Sequence, residues 1–103
     1  MKSLAEIQQQ LQAGSFEFTR HALKRAIERN ITEQEIREIG KNVEVIEDYP
    51  DDKYSPSSLL LGCTKGDRIL HIQVSRMDSD ITKIITIYQP DEKEWIDYRT
   101  RRK

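Results

Sequence analysis

One histidine and two arginines recur at intervals of four residues in the first third of the chain. His21, Arg25 and Arg29 would form one line along an α-helix, because residues four apart are neighbours on its surface. At about 100° per residue, that line borders the apolar arc of the helix. An imidazole transfers protons near neutral pH, and guanidinium groups bind phosphate. The spacing therefore predicts a phosphate-binding group. The alternative is that both arginines lie over the core and pair with carboxylates such as Glu28 or Glu33.

His71 and Tyr88 form a second candidate pair. Two β-like runs, 68–76 and 81–89, flank a stretch of turn residues, which predicts an antiparallel hairpin. In this hairpin His71 would lie opposite Thr86, with Tyr88 diagonal to it, on a polar and open face of the sheet. An imidazole in such a position suits general acid–base catalysis. The alternative is a half-exposed strand histidine with a structural hydrogen bond.

The same hairpin predicts which aliphatic side chains face the core. A turn at residues 77–80 pairs Arg76 with Ile81 and thereby sets the register of both strands. A further two-residue turn near Gly66 extends the pattern to the preceding run, 58–64. Ile84 is then predicted on the outer face. The side chains predicted on the core face are Leu59, Leu61, Cys63, Leu70, Ile72, Ile85 and Ile87.

Three helices are predicted ahead of the strands. Ser3 with Glu6, and Thr32 with Glu35, have the spacing of capping boxes, and Thr19 marks the start of the middle helix. Strands are predicted at 43–49, 58–64, 68–76 and 81–89. This order predicts an α+β fold in which two to three helices pack on one face of a four-stranded antiparallel sheet. The sequence predicts a single domain, 1–103, in which residues 1–14 form a peripheral helix and residues 96–103 form a basic tail.

The composition of the chain excludes several kinds of site and several classes of protein. The chain has 103 residues, a net charge of −1 and one cysteine, Cys63, which excludes an internal disulfide and a cysteine-based zinc site. No cofactor and no metal site is predicted. The chain also lacks an apolar run long enough for a membrane span and a signal-peptide core, so we expect a cytoplasmic protein that does not contact membranes. Because the total charge is slightly negative, nucleic-acid binding would have to use a local basic patch.

Four basic residues near the C-terminus could provide such a patch, although ordinary solvated charge is an equal alternative. They are Arg99, Arg101, Arg102 and Lys103. A stretch at residues 44–52 is its counterpart, because it carries several acids and no base.

Several segments together resemble the bacterial domain-of-unknown-function family numbered 4258, over about residues 16–95. The segments that carry the resemblance are Phe18–Leu23, Glu28–Glu35, Val45–Asp52, Leu70–Ile72 and Ile84–Pro90. At the level of the fold, the family is similar to RelE/ParE-like toxins and BrnT-type ribonucleases. The resemblance implies paired helices followed by an antiparallel sheet whose open face cleaves RNA.

This resemblance implies a toxin-type endoribonuclease of a toxin–antitoxin pair that needs no metal. The RNA 2′-hydroxyl would attack the adjacent phosphate, with His71 or His21 as acid or base. Arg25 and Arg29 would stabilise the transition state, Tyr88 would donate a proton or stack on a base, and the tail would hold the RNA backbone.

Two other classes of protein stay open. A non-catalytic module on the same scaffold would bind a protein, such as an antitoxin, through the acidic stretch at 44–52 or an edge strand. DNA binding has less support, because the helix at 20–29 mixes its basic residues with Glu28 and an apolar arc. The sequence does not predict the oligomeric state.

Overall fold

The computed structural model describes residues 1–53 and 55–103. Three helices and a three-residue strand come first, followed by four longer strands and a short C-terminal hairpin. In chain order these are α1 (Leu4–Gln12), β1 (Phe16–Phe18), α2 (Arg20–Glu28), α3 (Glu33–Ile39), β2 (Glu44–Tyr49), β3 (Ser57–Cys63), β4 (Ile69–Ser75), β5 (Thr82–Tyr88), β6 (Trp95–Ile96) and β7 (Thr100–Arg101).

The main sheet has five strands in the order β1-β5-β4-β3-β2, and β6 and β7 form a separate two-stranded sheet. β1 runs parallel to β5, whereas the other neighbours in the main sheet are antiparallel. The α+β class is confirmed, but the predicted four-stranded antiparallel sheet is wrong. A strand of three residues is too short to show a period of two, and β1 pairs with a segment far along the chain.

Local capping explains where two of the helices begin. The Thr19 hydroxyl accepts a hydrogen bond from the Ala22 amide at 3.1 Å. Thr32 and Glu35 form a complete capping box, in which each side chain accepts a hydrogen bond from the backbone of the other. Asn30 has a φ of 53° and ends α2 in the left-handed conformation that asparagine tolerates. These local features confirm the predicted starts of α2 and α3.

The helices cover one face of the main sheet. Leu60, Ile72 and Ile87 are neighbours across β3, β4 and β5, and all three are fully buried. Ile7 and Leu11 of α1 are also fully buried within the same cluster, so α1 contributes to the core. Burying a side chain of this size stabilises the fold by about 1.5–3 kcal/mol.

The register of the β4–β5 hairpin differs from the prediction. Ile72 pairs with Ile87 and Val74 pairs with Ile84, so one extra residue, Ile85, is accommodated on β5. The predictions that Ile85 faces the core and that Ile84 faces outwards are therefore wrong. The cause is tertiary, because Thr19 donates hydrogen bonds to the carbonyl groups of Ile84 and Ile85, each at 3.0 Å. Such a β-bulge reverses the alternation beyond it.

The register of β3 also differs by one residue. Leu61 pairs with His71, and Gly62 pairs with Leu70, so the predicted placement of Leu59, Leu61 and Cys63 on the helix-covered face is wrong. The turn before β4 is longer than two residues, and it includes Asp67 with a φ of 62°. Gly62 instead faces α3, where an added Cβ would lie 2.6 Å from the Cβ of Ile39.

None of the helices in residues 1–53 and 55–103 is long and apolar enough to cross a membrane.

Candidate functional site

A surface cleft of about 460 Å³ lies between α2 and the end of β5. Four of the residues predicted from the sequence line it together: His21, Arg25 and Arg29 from α2, and Tyr88 from β5. The first predicted group thus meets Tyr88 of the second pair, whereas His71 does not line the cleft. The remaining lining residues are Thr86, Gln89, Asp91 and Glu94.

The contacts of α2 determine how these side chains are presented. Ala22 and Ala26 form its buried face, and their small size lets the helix approach β5 closely. His21 is exposed. Arg25 contacts Glu28 at 3.7 Å, but both side chains are more than 40% exposed. Such an exposed pair contributes about 0–1 kcal/mol, so Arg25 can exchange this partner for a ligand at little cost.

Arg68 fixes the end of α2 that carries Arg29. Its guanidinium group donates to the carbonyl oxygens of Arg29 and Asn30 at 2.6 and 3.1 Å. It also contacts the Glu35 carboxylate at 3.0 Å and the Gln89 side chain at 3.1 Å. One side chain thus connects the C-terminus of α2, the first turn of α3 and the residue after β5.

Glu35 keeps its charge in this cluster. Burial disfavours its carboxylate, but hydrogen bonds from the Thr32 backbone and from Arg68 outweigh burial and lower its pKa. Glu35 therefore remains ionised at neutral pH.

His71 lies directly behind Tyr88 and is fully buried. Its Nε2 is 2.6 Å from the carbonyl oxygen of Tyr98, and its Nδ1 is 3.1 Å from the Tyr88 hydroxyl. The Trp95 ring packs edge-on against the imidazole, with centroids 4.4 Å apart. The expectation that His71 stands on an open face is wrong, because the C-terminal hairpin covers this part of the sheet.

The partners of His71 fix its hydrogen positions. A carbonyl oxygen can only accept, so Nε2 carries a hydrogen, and in the neutral ring Nδ1 must then accept from the Tyr88 hydroxyl. Burial lowers the pKa of His71, although the Tyr98 carbonyl and the charge of Glu47 oppose this effect. Burial likewise raises the pKa of Tyr88 to about 12. Both groups are therefore uncharged at neutral pH.

The turn between β6 and β7 contains two residues in the left-handed backbone conformation. Asp97 and Tyr98 both have positive φ values, 52° and 61°, which tyrosine rarely adopts. This backbone directs the Tyr98 carbonyl to His71. The Tyr98 hydroxyl is hydrogen-bonded to Glu92 at 2.6 Å, so both ends of the residue are held.

The basic tail pairs largely with its own chain. Arg101 donates hydrogen bonds to Glu47 from both Nε and Nη2, the shortest from each at 3.0 and 3.2 Å, and lies 4.6 Å from the centroid of the Trp95 ring. Arg99 forms an ion pair with Glu44.

The remaining two tail residues also lie outside the cleft. Arg102 donates to the Glu92 carbonyl at 2.9 Å, and Lys103 is exposed. None of the four described tail residues, Arg99 and Arg101–Lys103, lines the cleft. Their predicted role in RNA binding stays a prediction.

Sequence reasoning missed Glu47 and Tyr49, which lie on β2 beside the hairpin. Tyr49 donates a hydrogen bond to Glu47, and Arg101 binds the same carboxylate. Burial disfavours the charged form of Glu47, but these two partners outweigh it and lower its pKa. The opposite charges of the stretch at 44–52 and of the tail were visible in the sequence and could have indicated that they pair.

Metal binding has no candidate ligand set in residues 1–53 and 55–103: no group of three or more His, Cys, Asp or Glu side chains there could hold an ion.

Comparison with known proteins gives one result. The family model described as Domain of unknown function (DUF4258) matches residues 18–89. No match was found among curated proteins or among solved structures. The matched segment contains the cleft residues of α2 and β5 as well as His71, whereas the covering hairpin lies beyond it. Because the match spans more than half of the chain, this protein belongs to the family described as Domain of unknown function (DUF4258).

Proposed function

We propose that the cleft between α2 and β5 binds single-stranded RNA and cleaves it without a metal ion, as a toxin-type endoribonuclease does. One observation carries this proposal: His21, Arg25, Arg29 and Tyr88 line the same cleft. The cleft thus combines an exposed imidazole, two guanidinium groups and a phenol. These groups could bind a phosphodiester and transfer a proton beside it.

The proposed reaction is an internal transesterification. The RNA 2′-oxygen attacks the adjacent phosphorus, and the bond from phosphorus to the 5′-oxygen breaks, which leaves a 2′,3′-cyclic phosphate and a 5′-hydroxyl. His21 accepts the proton of the attacking 2′-hydroxyl and donates a proton to the leaving 5′-oxygen, because its imidazole is exposed and an imidazole can both accept and donate a proton. Arg25 and Arg29 stabilise the charge that develops on the phosphoryl oxygens.

Two carboxylates limit the electrostatic attraction. Asp91 and Glu94 line the same cleft, so its charge is mixed and RNA binding should be weak and sensitive to salt. A carboxylate near an imidazole can also serve as a second acid–base group. Single-turnover assays at low ionic strength are therefore the appropriate measurement.

The test is cleavage of a fluorescently labelled single-stranded RNA in the presence of EDTA, with mass spectrometry of the product ends. We expect His21→Gln, Arg25→Met and Arg29→Met each to lower the rate by about 10²-fold or more. Lys24→Met is the matched control on the same helix, because Lys24 is 75% exposed and does not line the cleft. Unchanged rates in His21→Gln and Arg25→Met, with unchanged folding, would refute the assignment.

The toxin role is the cellular part of this proposal. Expression of the wild-type chain should arrest growth, and co-expression of a cognate antitoxin protein should relieve the arrest. The Arg25→Met variant should express at the same level without arresting growth. Equal arrest by both proteins would argue that any toxicity has another source.

A groove on the outer face favours a second candidate function, a non-catalytic module that binds a protein. The groove has a volume of about 1010 Å³ and is lined in part by Met77, Ile81 and Ile85, of which Met77 and Ile81 are 59% and 45% exposed. The acidic stretch at 44–52 supports this function less well, because Glu44 and Glu47 already pair with the tail.

This candidate predicts a stoichiometric protein complex without RNA cleavage. The complex should be lost in Met77→Asp and retained in Ile27→Asp, since Ile27 is exposed on α2 away from the groove. Equal binding by both variants would exclude the groove as the interface.

A further inference from the structure

We propose that Tyr88 recognises a hydroxyl group in the cleft by accepting its hydrogen bond, and that this hydroxyl is the ribose 2′-OH. This inference rests on the proposed function, because it takes RNA as the ligand. It assigns Tyr88 the role of an acceptor instead of a proton donor. His71 then acts through Tyr88 as a positioning residue.

The first step is the orientation of the His71 ring. Its Nε2 lies 2.6 Å from the Tyr98 carbonyl oxygen, which has no hydrogen to give. The hydrogen of the neutral ring is therefore on Nε2. The edge-on contact with Trp95 at 4.4 Å and the full burial of the ring prevent it from turning over without disturbing the hairpin.

The second step is the direction of the Tyr88 hydroxyl hydrogen. With Nε2 protonated, Nδ1 of the neutral ring is an acceptor, and the Tyr88 hydroxyl lies 3.1 Å from it. The phenol hydrogen therefore points to His71. A phenol oxygen that has already used its hydrogen can still accept through its lone pairs, and Tyr88 lines the cleft.

Burial keeps the His71 ring neutral at neutral pH, and the charges around it do not reverse this effect. The groups that face it are Glu47 from β2, Tyr88 from β5, and Arg101 from β7. The Glu47 and Arg101 charges act in opposite directions, and burial, the largest influence, lowers the pKa of the ring. Tyr88 thus stays an acceptor towards the cleft under the conditions in which the protein would act.

The resulting cleft has two kinds of polar group for a nucleotide. Arg25 and Arg29 donate hydrogen bonds to phosphate, whereas Tyr88 accepts one from a 2′-hydroxyl other than the attacking one, whose hydrogen goes to His21. A deoxyribose lacks this hydroxyl and would leave the cleft-facing lone pair of the Tyr88 oxygen without a donor in a half-buried position, which is unfavourable. The 2′-hydroxyl is also the group by which proteins distinguish RNA from DNA.

Binding of matched oligonucleotides tests this inference without requiring cleavage. We would measure fluorescence anisotropy with a labelled single-stranded RNA and with the same sequence carrying 2′-fluorine, which cannot donate a hydrogen bond. The protein would be the His21→Gln variant, in which the proposed reaction is slow. We expect the RNA to bind about fivefold more tightly, as one hydrogen bond would give.

Two further substitutions identify the source of the preference. Tyr88→Phe should remove it. His71→Gln should retain it, because glutamine offers a similar acceptor and donor to Tyr88 and Tyr98. Lys24→Met should leave both affinities unchanged. An undiminished preference in Tyr88→Phe, or equal binding of both oligonucleotides before any substitution at Tyr88, would overturn the inference.

Nitrogen-15 NMR of His71 in the wild-type protein provides a readout that does not depend on RNA. We expect the Nε2–H tautomer at pH 7.5, with the Nδ1 shift of a hydrogen-bonded acceptor; an Nδ1–H tautomer or a charged ring would overturn the inference. The two proposals fail separately. A 2′-hydroxyl preference without cleavage by the wild type refutes only the proposed reaction, and cleavage dependent on His21 without that preference refutes only the role of Tyr88. If no RNA binds, both are refuted.

Discussion

His21 and His71 are the two histidines of the chain, and they lie in regions with opposite properties. The region around His21 is an open cleft in which the ion pair between Arg25 and Glu28 is exposed and exchangeable. In the region around His71, every polar atom of the ring has a partner, and an aromatic side chain covers it. Both regions meet at Tyr88, which lines the first and is hydrogen-bonded within the second. The comparison indicates that availability, and not residue type, decides which imidazole can exchange a proton with a ligand.

The largest expected effect is on stability. His71→Leu leaves the Tyr98 carbonyl and the Tyr88 hydroxyl without their buried partner, so we expect a loss of about 2–4 kcal/mol in the free energy of unfolding. His21→Leu should change it by less than about 0.5 kcal/mol. Urea denaturation of both variants measures the difference. Similar losses for the two would invalidate the contrast between a closed and an open region.

Arg68→Met tests whether the open region also needs a rigid support. Removing the guanidinium group frees the carbonyl oxygens of Arg29 and Asn30 and leaves Glu35 without its ion pair. We expect a loss of about 1–3 kcal/mol, together with faster amide hydrogen exchange in residues 28–31. Lys24→Met, on the exposed side of α2, is the control and should leave exchange unchanged. If exchange in Arg68→Met stays at the wild-type rate, Arg68 does not hold the end of the helix.

The pH dependence of stability should distinguish the two histidines. Because the pKa of His71 in the fold is below the usual value of 6.5, the unfolded chain binds more protons than the native chain as the pH falls through 6.5. Stability should therefore decrease from about pH 7 to about pH 5. His71→Gln should flatten this part of the profile, whereas His21→Gln should retain it.

Two carboxylates also contribute to the pH dependence of stability, but below pH 5. Glu35 and Glu47 have lowered pKa values, so their stabilisation is present above 4.5 and is lost at more acidic pH. If His71→Gln and the wild type gave the same profile between pH 5 and 7, another group would be responsible.

The smallest expected effect concerns the edge of the closed region. Arg99 and Glu44 form an ion pair in which both side chains are about half exposed. We expect Arg99→Gln to cost less than about 1 kcal/mol, and the cost to disappear in high salt. Arg101→Gln should cost more, because Arg101 also packs on Trp95. The costs are measured by urea titration at low and at high salt. If Arg101→Gln costs no more than Arg99→Gln in either condition, the contact with Trp95 contributes nothing.

Much of the helical part could be predicted from the sequence because its determinants are local. Thr19 and Thr32 cap their helices through residues three positions away, and Asn30 adopts the left-handed conformation that its side chain tolerates. The alignment of His21, Arg25 and Arg29 follows from the helical period alone. These features do not depend on the rest of the chain, so short-range reasoning was sufficient.

The sheet and the surroundings of His71 depend on long-range contacts and could not be predicted in this way. The extra residue on β5 is held by Thr19, and the burial of His71 depends on a hairpin in which Tyr98 adopts a positive φ. Tyrosine gives no local indication of such a turn. For the same reason, the sequence indicated that His71 and Tyr88 are close to each other, but not that both ring nitrogens of the imidazole have hydrogen-bond partners within the chain.

The bulge on β5 has a consequence for length changes in this strand. Ile84 and Ile87 both point to the helices although they are an odd number of positions apart, which an unbroken strand does not allow. Deleting Ile85 would bring Ile84 and Ile87 two positions apart, so a regular ladder would keep both side chains in the interior and Tyr88 on the opposite face. The shortened strand would lose the hydrogen bond that Thr19 donates to the Ile85 carbonyl group. The bulge is therefore the one point of this strand at which removing a residue leaves the face of every other side chain unchanged.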